Sequence, residues 1–297
     1  MNKTLSGVIA AVATPIDEKG APDLKRATEL ARFLLDNGCD GLNVLGSTGE
    51  ATSFSRDERT AVMDAYKENG LPLERLMVGT GAASISDAIA LTRHAAELGF
   101  GGALVLPPFY YKGVSDEGLE NYIDALVKAT EASQLPIYLY HYPQLTGILW
   151  HIALIERLRK SFPSRIVGLK DSSGDMAFAR AAAAIAQDFA VFPSTEACLL
   201  DARKGQFAGC ISATANLNAD LCQRAWGSGD AAAHEAAVAI RKLFDGRPLV
   251  PGVKTLLAHI HNDPALARVR PPLATVSAAD REAITGGYDA IRVKKAA

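Results

Sequence analysis

Short apolar runs alternate with longer stretches of helical periodicity along most of the chain. The runs are Val8–Ala13, Gly41–Leu45, Leu76–Gly79, Ala103–Leu106, Ile137–Tyr140, Ile166–Leu169, Ala190–Phe192 and Cys210–Ser212. Each is too short for a helix and is bounded by Gly, Pro or polar residues, which predicts strands. Their apolar character is continuous rather than alternating, so both faces are expected to be buried, as in a parallel sheet. Between them, Asp23 to Asn37 places Leu24, Ala27, Leu30, Ala31 and Leu34 at helical spacing, with Gly38 as a stop. Ser55 followed by Glu58 reads as a capping box, and Ser84 opens a helix that runs to Leu98 before Gly99. Asp116–Ser133, Ile152–Phe162, Asp175–Gln187, Glu196–Lys204 and Ala219–Gly227 complete the predicted helices of this part.

A strand–helix unit repeated in this way closes most economically as an α/β protein of the (β/α)8 TIM-barrel class. The main alternative is an open doubly wound sheet, but no G-x-G-x-x-G turn supports a dinucleotide fold. Residues 1–228 are read as the barrel. Residues 229–297 are read as a helical extension packed on it, with helices over Ala231–Phe244, Val253–Asn262 and Ala278–Ile291 separated by Pro248, Pro251, Pro264 and Pro271-Pro272.

Composition narrows the function classes. Lys plus Arg is 31 against Asp plus Glu 33, a net charge of -2, which favours neither nucleic acid nor an acidic membrane as partner. The terminal Lys294-Lys295 pair reads as a solvated tail. Cys39, Cys198, Cys210 and Cys222 form no C-x-x-C pair, and in a chain of 297 residues they read as reduced cytoplasmic thiols. No apolar run approaches the roughly 18 residues of a membrane span. Met1-Asn2-Lys3 before Val8–Ala13 has the outline of a signal peptide, but its basic region is a single Lys and the run ends in Thr14-Pro15, as a buried strand would. No His, Cys and carboxylate spacing completes a metal site, and no G-x-S-x-G elbow or P-loop occurs, so no metal or cofactor is expected.

Barrel enzymes assemble their sites at the C-terminal ends of the strands. Polar residues there include Gly46-Ser47-Thr48-Gly49-Glu50, Tyr140-His141-Tyr142-Pro143 and Lys170-Asp171-Ser172-Ser173-Gly174. Lys170 follows a buried strand, where lost solvation disfavours the ammonium. A neutral amine attacks a ketone, and the protonated imine is an electron sink. The bland alternative is a surface or salt-bridged Lys. Tyr140 is a proton donor in one reading and an aromatic lid over the core in the other. The glycine-flanked Ser47 and Thr48 offer N–H groups and hydroxyls for a carboxylate, or simply form a tight turn. The Tyr110-Tyr111 pair reads equally as an interface cluster.

Taken together, Val12-Ala13-Thr14-Pro15, Gly46–Glu50, Pro108-Phe109-Tyr110-Tyr111, Leu139-Tyr140, Gly168-Leu169-Lys170, Gly209-Cys210-Ile211-Ser212 and Arg270-Pro271-Pro272-Leu273 resemble the dihydrodipicolinate synthase / N-acetylneuraminate lyase family of class I pyruvate lyases. The resemblance spans nearly the whole chain, with the motifs in order and at suitable spacing. It implies that Lys170 forms the Schiff base and Tyr140 acts as general acid/base. It also implies that Ser47 links Tyr140 to a tyrosine of a neighbouring subunit, matching Tyr110, and that the Ser47–Thr48 backbone holds the pyruvate carboxylate. Ile211 would line the site through its carbonyl, and the assembly would be a homotetramer of tight dimers.

Departures concern the second substrate. Leu145 stands where true dihydrodipicolinate synthases carry an Arg for a substrate carboxylate, and His141 replaces the usual Asn. A leucine offers no bidentate pairing to a carboxylate. The Lys170–Asp175 run is similar to sugar-acid aldolase and dehydratase branches. The expectation is therefore aldol cleavage or condensation of a 2-oxo acid with a sugar-acid-like second substrate rather than aspartate semialdehyde. The alternatives are dihydrodipicolinate synthesis, dehydration of a 2-keto-3-deoxy sugar acid, and a barrel that binds a 2-oxo acid without turnover. His141, Gln144, Leu145, Ser172, Thr195 and Glu196 are the candidate pocket residues, with helix capping an equal reading for the last two.

Overall fold

The computed structural model describes residues 4–293. The Met1–Lys3 start and the Lys294-Lys295 tail lie outside the described residues. The strands are β1 (Gly7–Ala11), β2 (Gly41–Val44), β3 (Leu76–Gly79), β4 (Gly102–Val105), β5 (Ile137–His141), β6 (Ile166–Asp171), β7 (Ala190–Pro193) and β8 (Gly209–Ser212). Every pairing is parallel, and the order β7-β6-β5-β4-β3-β2-β1-β8 brings first and last strands together. The ring nears closure where Ala208, just before β8, donates its N–H to the Val191 carbonyl of β7 at 2.9 Å. This is the (β/α)8 barrel that the repeating pattern predicts.

Around it run α1 (Leu24–Asp36), α2 (Arg56–Glu68), α3 (Ile85–Leu98), α4 (Asp116–Ala129), α5 (Pro143–Thr146), α6 (Ile152–Ser161), α7 (Met176–Ala183), α8 (Leu199–Arg203) and α9 (Ala215–Ser228). Helices α10 (Ala231–Lys242), α11 (Leu249–His261) and α12 (Ala278–Val293) follow, packing on α9 and on one another. None of the described helices is long and apolar enough to cross a membrane. The helix starts obey their capping residues. Asp23 accepts from the Arg26 N–H, Ser84 from the Asp87 N–H, and Ser55 and Glu58 form the reciprocal capping box.

Period two along the strands separates two apolar layers. Ile9, Ala11, Met77, Leu104, Tyr138, Phe192 and Ile211 fill the barrel interior. Val8, Leu42, Val44, Val78, Leu139 and Leu169 face outward into the larger core beneath the helices. Gly168 and Gly102 have a steric reason: a Cβ at either would come within 2.7 Å and 2.6 Å of the Tyr138 ring.

Several boundaries differ from expectation for local reasons. Strand β6 continues through Asp171, so Lys170 lies within the ladder rather than after it. Pro143 occupies the first position of an unanticipated short helix, where its missing N–H costs nothing. Pro251 likewise sits in the first turn of α11 instead of separating two helices. Helix α9 starts four residues earlier than Ala219 and bends at Asn218, whose φ of -143° breaks the helical path.

Candidate active site

Parallel register sets Tyr140 of β5, Lys170 of β6 and Phe192 of β7 at one level. Since Tyr138, Tyr140 and Phe192 point inward, Lys170 does too, at the C-terminal end of the barrel. Lys170 is only 3% exposed. Its ammonium nitrogen lies 4.5 Å from the centre of the Tyr140 ring and has no hydrogen-bond or carboxylate partner among the described residues. Burial without a counter-charge lowers its pKa to about 7, and the positive charge of Arg241 acts in the same direction. The Tyr140 hydroxyl lies 3.4 Å from Ser47 Oγ and 3.4 Å from Ser172 Oγ. Burial raises its pKa, while those two hydroxyls oppose the rise.

The turn after β2 carries the second half of the site. Leu45 and Glu50 both take positive φ, 53° and 55°, so the chain folds tightly around Ser47 and Thr48. The backbone N–H groups of Ser47 and Thr48 meet no acceptor among the described residues, which leaves a small concavity of donors. A buried ion pair fixes this turn from behind. Lys254 Nζ of α11 donates to Glu50 Oε1 at 2.5 Å and to the Thr14 carbonyl at 2.9 Å, and Glu50 Oε2 accepts the Arg270 N–H at 2.7 Å.

Lys170, Tyr140, Ser172, Ser47, Thr48 and Glu50 line one cavity of about 550 Å³ at the barrel mouth, together with Leu106, Tyr142, Leu145, Ser194, Ile211 and Arg241. Pro248, Val250, Pro272 and Leu273 also belong to its lining. Of the residues expected at the site, Lys170, Tyr140, Ser47, Thr48, Ser172 and Ile211 converge here, and Leu145 stands at the rim, 63% exposed.

Others do not reach it. His141 follows Tyr140 on the strand and therefore faces outward. It accepts the Trp150 N–H through Nδ1 at 3.3 Å and stacks on Phe178 with ring centres 4.1 Å apart. Burial lowers its pKa to about 4, so it sits there as a neutral packing residue. This corrects its expected place in the pocket. Glu196 is wholly buried behind the wall, where Ser212 Oγ donates to it at 2.8 Å and Thr214 Oγ1 donates to the same oxygen. Thr195 caps the following turn, and Gln144 donates to the Ser173 carbonyl at 2.7 Å. Tyr110 is 74% exposed, packs edge-on against Tyr111 and is not hydrogen-bonded to Ser47 of its own chain, whose hydroxyl lies against Tyr140. No group of three or more His, Cys, Asp or Glu suited to a metal occurs among the described residues.

Tyr142 and Arg241 are among the lining residues that the sequence does not single out. Tyr142 was in plain view, two residues beyond Tyr140 and hence on the same face. Its ring lies 5.9 Å from that of Tyr140. Arg241 comes from α10, beyond the eighth strand–helix unit, and no local pattern marks it. It donates through Nη1 to Ser212 Oγ at 3.3 Å.

Comparison with known proteins bears on the same residues. The model of the "Dihydrodipicolinate synthetase family" matches residues 4–287. The chain belongs to this family. A "DapA-like lyase" of uncharacterized function from Chloroflexus aurantiacus is 32% identical over 291 residues, covering 96% of each chain. The crystal structure of dihydrodipicolinate synthase from Agrobacterium tumefaciens superimposes with a TM-score of 0.90 at 30% identity, covering 96% of this chain and 99% of that one. YagE from E. coli, a dihydrodipicolinic acid synthase family protein solved in complex with pyruvate, gives 0.86 at 26% identity, covering 97% and 98%. As a dihydrodipicolinate synthetase family member the chain is an enzyme of the class I lyase type, and the resemblance expected from its motifs holds over the full barrel.

Proposed function

We propose that Lys170 carries the imine of this lyase and that the protein makes or cleaves a carbon–carbon bond next to it. The neutral amine adds to the keto carbon of pyruvate or a related 2-oxo acid, a proton delivered through Tyr140 lets water leave, and a protonated imine remains. Loss of a proton from the adjacent carbon gives an enamine, which attacks an aldehyde; the reverse sequence is aldol cleavage. Tyr140 moves the protons, with Ser47 linking it to Tyr110 of the partner subunit in a homotetramer. The Ser47 and Thr48 N–H groups hold the carboxylate of the 2-oxo acid, and Ser172 steadies the phenol. The observation that carries this reading is a buried lysine without a counter-ion, set against a buried phenol in an open cavity.

Leu145 at the rim supports a second substrate other than aspartate semialdehyde, with sugar-acid-like compounds favoured. The free, buried state of Cys39, Cys198, Cys210 and Cys222 supports a cytoplasmic enzyme. Borohydride added with pyruvate is expected to leave one stable pyruvate adduct on the wild-type chain, read by intact mass, and none on Lys170→Ala. A wild type without an adduct defeats the covalent step. Efficient condensation of pyruvate with aspartate semialdehyde would instead make this a 4-hydroxy-tetrahydrodipicolinate synthase, the name borne by several relatives.

A further inference from the structure

Among the described residues, nine of the arginines pair with carboxylates, and seven others donate to backbone carbonyls. Arg26 meets Asp23 and Asp263, Arg224 meets Asp230, Arg270 meets Glu58, and Arg292 meets Asp220. Arg241 does not. It is half-buried on the cavity wall and has no carboxylate partner among the described residues. A guanidinium has five N–H donors. One contact to Ser212 Oγ, itself held by Glu196, engages and orients this one. The remaining donors have no acceptor among the described residues, although the group is partly withdrawn from water.

We propose that Arg241 is a specificity-determining residue that holds a second carboxylate, at the end of the substrate remote from the imine. This rests on the Schiff-base reading of Lys170 and deepens it. The substrate class is then a sugar-acid-like 2-oxo acid with a carboxylate at each end, formed from, or cleaved to, a hydroxylated aldehyde that bears a carboxylate. One end lies on the Ser47–Thr48 turn and the other on Arg241. The cavity of about 550 Å³ has far more room than a three-carbon acid fills. Leu145 leaves the α5 side of the mouth without a cation, and Arg241 supplies one from the α10 side. The charged residues lining the cavity are Glu50, Lys170 and Arg241. Glu50 is matched by Lys254, and the protonated imine on Lys170 is matched by the carboxylate beside it. A single guanidinium matches a carboxylate in charge and in fork geometry, whereas a phosphate dianion would remain half-neutralised.

The test compares borohydride trapping of two acids of equal length, 2-oxoadipate and 2-oxohexanoate, with pyruvate as reference, at about pH 8.5 where the Lys170 amine is neutral. The wild type is expected to half-trap 2-oxoadipate at a concentration about tenfold or more below 2-oxohexanoate. Arg241→Leu is expected to erase that ratio, and Arg241→Lys to keep part of it. Arg241→Gln, which preserves a hydrogen bond to Ser212, serves if the leucine variant does not fold. Equal concentrations for the two acids in the wild type overturn the proposal. So does trapping of pyruvate but of neither longer acid, or an Arg241→Leu effect that weakens both acids alike. A preference for the phosphonate analogue of 2-oxoadipate overturns it in favour of a phosphate. Failure to trap pyruvate in the wild type identifies the Schiff-base reading itself as the fault.

Discussion

Lys170 and Lys254 are two buried lysines near the same end of the barrel, and their surroundings differ in one decisive respect. Lys170 is 3% exposed and Lys254 1% exposed, so both are largely withdrawn from water. Lys254, on α11, lies 2.5 Å from a Glu50 oxygen and also donates to the Thr14 carbonyl. Lys170, on β6, faces an aromatic ring and an arginine. Burial lowers the pKa of each, but Glu50 opposes the shift at Lys254, while Arg241 adds to it at Lys170. The same side chain thus serves as a strut in one place and as an available nucleophile in the other. Burial alone does not make a reactive amine; burial without a partner does.

The largest effect that sharpens this contrast is structural. Lys254→Met leaves the Glu50 carboxylate buried without its cation and is expected to destabilise the fold by about 3–5 kcal/mol in denaturant melts. The double variant Lys254→Met/Glu50→Gln is expected to recover much of that loss. An unaffected single variant would show that the pair is not a strut. Tyr140→Phe is next. It is expected to keep the pyruvate adduct but lower turnover about 10²-fold, since the ring is retained and the proton carrier lost. A turnover within a few-fold of wild type would return Tyr140 to the role of an aromatic lid.

Lys170→Met is expected to act on stability in the opposite direction to Lys254→Met, while abolishing the adduct. The folded-state pKa of Lys170 is depressed, so between about 7 and the ordinary lysine value of 10.5 the unfolded chain binds a proton that the folded chain does not. Stability therefore rises with pH through that window, and the wild-type amine is a burden at and below neutrality. The methionine variant is expected to gain stability at pH 7, by up to about 4 kcal/mol, with the gain fading toward pH 10. A loss of stability instead would mean that Lys170 has a partner in solution.

Much of the fold was legible because period and punctuation are local. The apolar runs, Ser55 with Glu58, and Ser84 with Gly99 report strands and helix ends within a few residues of themselves. Lys170 and Tyr140 were legible because a polar residue at the end of a buried strand has few places to go. His141 was misplaced although the rule that excludes it, alternation along β5, was available: if Tyr140 faces in, its neighbour faces out. Arg241 lay beyond any local rule. Its position depends on how α10 packs against the end of the barrel, and its partner Ser212 is 29 residues away in the chain. The support of Glu50 by Lys254 spans 204 residues and is equally invisible to periodicity.

A Lys170 amine that loses its proton near pH 7 is tested most directly by the pH dependence of imine formation. Pre-steady-state imine formation with pyruvate is expected to rise about tenfold per pH unit in acid and to level off near pH 7, where burial places the Lys170 pKa. A rate that keeps climbing with that slope to about pH 10 would contradict it, because it would report an ordinary, hydrated ammonium at position 170.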